Sequence, residues 1–166
     1  MNSLITLLPI IKPIASLFNL DLRLVVAVII TESNGDTNAM KYEPHYKWLY
    51  NVEEIAIDLK TSTETIETQQ KTSWGLFQLM GAIYHEKIGP YPVTDLLKPE
   101  INIYLGCKFL SEKAEKFGPN HLDIYAAYNA GSVRKTPTGK YYNHFNVQRF
   151  GRIYNRIQGQ FPEQVL

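Results

Sequence analysis

The chain has 166 residues, 45% of them hydrophobic and 20% charged, enough apolar material for one real core and too much for long disorder. A net charge of +1 leaves no basic footprint for nucleic acid. The lone cysteine, Cys107, excludes an internal disulfide and permits a reducing compartment.

Residues 1–20 contain LITLLPII, loosely like the apolar stretch of a secretory signal. The first positive side chain is Lys12, Pro9 and Pro13 interrupt the run, and no small-x-small cleavage site precedes Asp21. The stretch is also too short and too broken to span a bilayer, so no stable membrane insertion is expected. The reading is one or two helical turns that lay Leu4, Leu8, Ile11, Ile14 and Phe18 on the core. An uncleaved or slowly released signal is the alternative.

Leu22 to Asn34 reads LRLVVAVIITESN and is expected to be the spine of the core. Asp21 is a suitable N-cap, but Val25, Val26, Val28, Ile29 and Ile30 would equally suit a buried strand. Asn34-Gly35-Asp36 is a turn signal, so Glu32 falls at the exit of an apolar run. A carboxyl there is partly dehydrated, which favours its protonated form; a surface glutamate at an element end is the plain alternative.

The segment 40–73 opens with the aromatic, partly basic KYEPHYKWLY. It continues with a helix over Val52–Leu59 and a short amphipathic one using Thr63, Ile66, Gln69 and Gln70, capped by Thr61 or Ser62. Trp74 to Gly81 is an apolar octet with one polar side chain, Gln78, read as a helical turn facing the core. Gly89-Pro90-Tyr91-Pro92 marks a loop. Pro99 then opens a helix carrying Ile103, Cys107, Leu110, Ala114 and Phe117 at three- and four-residue steps, and Gly118-Pro119 stops it. Cys107 reads as a buried thiol rather than a nucleophile. Leu122–Tyr128 is a further helix, Ser132–Lys140 a loop, and the last helix sets Val147, Phe150, Tyr154 and Ile157 against Arg149, Arg152 and Arg156. That arginine face reads as solvated, with contact to an anionic wall polymer as the alternative. No strand or hairpin pattern is visible, so the chain is expected to be all-α.

Three pieces in order, Glu32-Ser33, Gly75-Leu76-Phe77-Gln78-Leu79-Met80 and Ala126-Ala127-Tyr128-Asn129-Ala130-Gly131, with INIYLGCKFL between the last two, resemble the catalytic domain of soluble lytic transglycosylases, relatives of goose-type lysozyme. The likeness runs from Leu20 to Ile157. It implies a lysozyme-like fold with a glycan groove, spanning 1–166 as a single domain with a helical or loop insertion around 40–73. The implied substrate is the peptidoglycan glycan strand, cut at the β-1,4 bond between N-acetylmuramic acid and N-acetylglucosamine. Carried over by motif, Glu32 is the catalytic acid and Ser33 a structural neighbour. Gln78 contacts sugar or site, Met80 lines the groove, Tyr128 brings its hydroxyl near Glu32, and Asn129 holds the loop around Gly131. Forty-three positions separate Glu32 from Gly75, far more than is usual in the bacterial members. That spacing, with Glu43-Pro44-His45 and Ser73-Trp74-Gly75, is similar to phage endolysins.

Glycoside cleavage generally needs two carboxylates. The resemblance implies a shortened scheme in which one glutamate serves twice and the substrate's own C6 hydroxyl attacks, giving a 1,6-anhydro sugar. A muramidase hydrolysing the same bond would need a second carboxylate, for which Asp36, Glu43, Glu53 and Glu54 are candidates and Glu43 the strongest. Tyr42, Tyr46, Trp48 and Tyr50 offer sugar-stacking platforms, although packing on the core is the preferred reading for Trp48. Tyr141 and Tyr142 are placed at the groove's border. His45, His85, His121 and His144 lack metal-ligand spacing, so no metal or other cofactor is expected. The expected protein is a monomer without a cleavable signal, made in the host cytoplasm and acting on wall or periplasm. A non-catalytic wall-binding or tail module and a Cys107 peptidase are the readings from other classes.

Overall fold

The structure, a computed structural model, describes residues 2–160. It is mostly helical, as the apolar periodicity predicts, with a three-stranded sheet the sequence did not reveal. Contacts divide the chain into two compact units, the first running to Gly35 and resuming at Ile103, the second Asp36–Asn102. No helix among the described residues is long and apolar enough to cross a membrane.

In the first unit, α1 spans Asn2–Leu17 and runs through Pro9 and Pro13. Both prolines lie on its exposed side, where a missing N–H and a bulky ring disturb no core packing. The helix is longer than the expected one or two turns, and its buried line is Leu4, Leu7, Ile11 and Ala15. Leu8, Ile14 and Phe18 are only half-buried. The register turned because one continuous helix must keep a single face inward: steps of four from Ile11 select Leu7 and Ala15, and a step of three back from Leu7 selects Leu4.

The central helix α2, Leu22–Ser33, buries nine of its twelve residues. Asp21 caps it by accepting the Arg23 N–H at 3.0 Å. Val25 through Ile29 are wholly buried, so tertiary burial overrides the strand preference of the valines. Helix α2 packs against α1 and against α8, His144–Arg156. The guanidinium of buried Arg23 lies 3.6 Å from the centre of the Tyr154 ring, a cation–π contact that accommodates a charge in the core. Helix α6, Pro99–Phe117, buries Ile103, Cys107 and Leu110, and α7 covers His121–Ala130 with Asn120 as its cap. On α8 the apolar line is buried and Arg149, Arg152 and Arg156 are exposed, as expected. Burial pushes the Cys107 thiol up to about 12, which leaves it protonated and removes it as a nucleophile.

The second unit holds β1 (Met40–Tyr42), α3 (Val52–Asp58), α4 (Thr63–Gln70), β2 (Thr72–Trp74), β3 (Leu79–Met80) and α5 (Gly81–Ile88), then a 3-10 turn, Val93–Leu97. Ser62 caps α4, and Ile55, Ala56 and Ile66 form a small core between α3 and α4. The antiparallel order is β1-β2-β3, with Met40 opposite Trp74 and Ser73 opposite Met80. The octet from Trp74 to Gly81 is therefore a hairpin rather than a helical turn. Gly75 at φ +69° and Gln78 at φ +49° are left-handed, which ends any right-handed helix. Strands of two and three residues are too short to show alternation.

Buried polar side chains hold this unit's turns. Asn102 accepts the Phe77 N–H at 2.8 Å and donates to the carbonyls of Trp74 and Leu96. Gln70 and His85 are fully buried, 3.1 Å apart, and His85 Nε2 donates to the Tyr91 carbonyl at 3.1 Å. Burial holds the His85 imidazole below its usual range. The unfolded chain takes up a proton near pH ~6.5 that the folded one resists. Stability contributed here is complete above that value and lost as pH falls below it. Thermal melting of the protein should therefore drop progressively from pH ~7.5 to pH ~5, and His85 should show no imidazolium signal by NMR at pH ~6.5; a charged ring there would refute the assignment.

Candidate active site

The exit of α2 is shaped by its last residues. Thr31 and Ser33 return their hydroxyls to the carbonyls of Ala27 and Ile29, at 2.6 and 3.1 Å. Ser33 also accepts the Gly35 N–H at 3.2 Å. Asn34 closes the helix at φ 56° with its N–H on Ile30. Between these two back-bonded hydroxyls stands Glu32, half-buried. Ser33 thus shapes the helix end.

The Tyr125 hydroxyl donates to Glu32 Oε1 at 2.9 Å. Tyr125 is only 1% exposed, and its ring stacks on Phe150 of α8 at 4.4 Å and 6° between planes. The ring plane is held by packing, so the hydroxyl has a fixed direction. Burial, then the Glu32 charge, raises the Tyr125 phenol far above its ordinary value, with Arg149 opposing. Tyr128, one turn further along α7, is raised well above its ordinary value by burial first and the Glu32 charge next. Both phenols stay protonated at any working pH. A carboxyl set beside protonated phenols can hold a proton or a negative charge without losing its orientation.

Tyr125 was not singled out in the sequence. The signal was there: it lies three residues before Tyr128, on the same helical face. Asn129 accepts from the amides of Asn143 and Asn146 at 3.0 and 3.1 Å, tying the end of α7 to the start of α8. Tyr141 donates to Asp123 at 2.6 Å, Lys135 pairs with the same carboxylate, and Tyr142 is exposed.

Three other site candidates belong to the second unit. Gln78 donates both amide protons to backbone carbonyls, those of Ala39 at 3.1 Å and Gly75 at 3.0 Å, and accepts from Ser73; it organises the hairpin. Met80 is half-buried and precedes α5. Gly81 follows because a Cβ there would lie 2.2 Å from the Gln69 carbonyl oxygen. Glu43 pairs with Lys41 at 2.6 Å. Trp48, expected to pack on the core, is instead 74% exposed, since its loop has no regular element to turn the ring inward.

An all-α chain built about one buried helix, with a single carboxylate held at its exit, falls in the lysozyme-like class of glycan-cleaving enzymes. The transglycosylase SLT domain matches residues 9–150, and the chain belongs to that family. Membership makes it a transglycosylase that cleaves glycosidic bonds of peptidoglycan. No curated protein and no solved structure matches the chain.

Replacing Tyr125 by Phe keeps the ring and its stack and removes one donor to the carboxyl. The charged form of Glu32 loses a hydrogen bond, so the acid should release its proton at higher pH. The alkaline limb of the lysis profile should move up while kcat/KM falls about tenfold. An unmoved limb in that variant would show that the phenol only fills space.

Proposed function

We propose that this protein is a lytic transglycosylase in which Glu32 alone performs both proton transfers, and which releases 1,6-anhydro-muramic acid ends. The observation that carries the reading is the Tyr125 hydroxyl on Glu32 Oε1 at 2.9 Å, which keeps one carboxyl oriented through both halves of a reaction. Glu32 first gives its proton to the glycosidic oxygen, and the N-acetylglucosamine leaving group departs. The carboxylate then takes the proton of the muramic acid C6 hydroxyl as that oxygen bonds to the anomeric carbon. The acid is restored and no water is consumed. An intramolecular hydroxyl has an effective concentration of about 10⁵ M or more when well oriented, which replaces a positioned water.

Three of the four carboxylates proposed as partners for hydrolysis have local occupations, which supports the single-acid scheme. Asp36 accepts the Asn38 N–H at 2.9 Å, Glu43 pairs with Lys41, and Glu54 takes the Asn51 amide at 2.9 Å. Glu53 is exposed on the first turn of α3. Hydrolysis of the same bond remains the second reading, with Glu43 as the group to guide water because Lys41 is an exposed and exchangeable partner. The long spacing between Glu32 and Gly75 supports a role in phage-driven lysis of a bacterial host, with the protein acting as a monomer on glycan strands.

Digesting purified peptidoglycan and weighing the soluble muropeptides tests the chemistry. Transglycosylation gives ends lighter by one water that resist borohydride, and reducible ends would decide for hydrolysis. Glu32→Gln should lower the rate roughly 10²- to 10⁴-fold. Wild-type lysis by that variant would remove Glu32 as the acid.

A further inference from the structure

The loop Glu43–Asn51 in the second unit contains no helix or strand, yet its backbone is pinned at both ends. The Glu43 N–H donates to the Lys71 carbonyl at 2.8 Å, and the Tyr46 N–H to the Glu43 carbonyl at 3.0 Å. At the other end the Gln70 side chain clamps Tyr50. Its oxygen accepts the Tyr50 N–H at 2.8 Å, and its nitrogen donates to the Tyr50 carbonyl at 2.7 Å. Gln70 is 0% exposed and also donates to Nδ1 of His85, itself 0% exposed and anchored on the Tyr91 carbonyl. One wholly buried amide, braced by a wholly buried imidazole, thus holds the backbone of this surface loop. Such a network holds a loop in one shape in advance of any ligand and lowers the entropy lost on binding.

The pinned loop displays a tryptophan. Trp48 is 74% exposed, with the Tyr46 ring edge-on at 5.4 Å and 70°. Burying a ring of this size would be among the larger hydrophobic gains open to the fold. Instead the loop presents it to water with a second ring set against it. Lys47 and His45 are exposed in the same loop, and its one carboxylate, Glu43, is already paired with Lys41. Lys47 thus lies beside an open aromatic face, and the Glu86 carboxylate, which acts on Tyr46, is paired with Lys87.

We propose that this loop is a glycan-binding site, with Trp48 as the platform for a sugar ring of the peptidoglycan strand. A pyranose offers a face of C–H groups that covers an indole, and the peptide stems of the strand carry carboxylates that suit Lys47. The proposal rests on peptidoglycan being the substrate and does not depend on which group performs the chemistry.

The chain has two tryptophans, and Trp74 is buried with its indole N–H on the Gln69 carbonyl at 3.1 Å. Iodide quenching of the full chain therefore reports Trp48. In the Glu32→Gln background, soluble disaccharide–peptide fragments of peptidoglycan should shield this fluorescence from iodide. Trp48→Ala should weaken co-sedimentation with purified peptidoglycan by roughly three- to tenfold, with Trp48→Phe recovering part of the loss. Unshielded quenching together with undiminished sedimentation of the Trp48→Ala variant would overturn the proposal and give the loop to a protein partner. Binding is read without turnover, so the failure of this site and the failure of Glu32 as the acid are separate results.

Discussion

A carboxyl at the end of a helix buried on nearly every side has two needs that conflict. It must be sheltered enough to carry a proton, and it must have a polar partner when it is charged. Burial at the exit of α2 meets the first, and the hydrogen bond from Tyr125 to Glu32 meets the second, because a buried phenol is a donor that cannot itself ionise in the working range. The rest of the first unit serves this contact. Helix α2 brings the acid to its place, α7 brings the phenol, and Phe150 of α8 fixes the plane of the phenol ring. The hydroxyls of Thr31 and Ser33, turned back to their own helix, keep the exit of α2 in shape without competing for the carboxyl.

The second unit is organised by different means. Its apolar core between α3 and α4 is small, and much of its order comes from buried amides and one imidazole that take up the backbone groups of turns. Asn102 closes the hairpin turn, Gln78 ties that turn to the approach of β1, and Gln70 with His85 holds the aromatic loop. Polar groups so placed must be fully satisfied to be tolerated, and these are. Such a unit can present an irregular loop as a rigid surface, which a purely apolar core could not do.

Much of the fold could be read in advance from local physics. The cap at Asp21, the stop at Asn34-Gly35, the cap at Ser62 and the three- and four-residue steps along Pro99–Phe117 are properties of short stretches, and the structure follows them. The hairpin was hidden because its turn, left-handed at Gly75 and Gln78, is held by Asn102, far along the chain, which accepts from Phe77 and donates to Trp74. The exposure of Trp48 was hidden for a related reason. Composition says that an indole tends inward, whereas this one stands in a loop without helix or strand whose backbone is held at Tyr50 by Gln70.

By itself the sequence determined the helical class, the position of Glu32 at the end of an apolar run and the ordered motifs that mark a glycan-cleaving family. These depend on neighbours within a turn or two. Only the tertiary structure decided which donor holds the acid, because Tyr125 is ninety-three positions from Glu32 and the helical face it shares with Tyr128 does not say which phenol reaches the carboxyl. A long-range hydrogen bond exists through the packing of three helices at once, and no single stretch of chain contains that information.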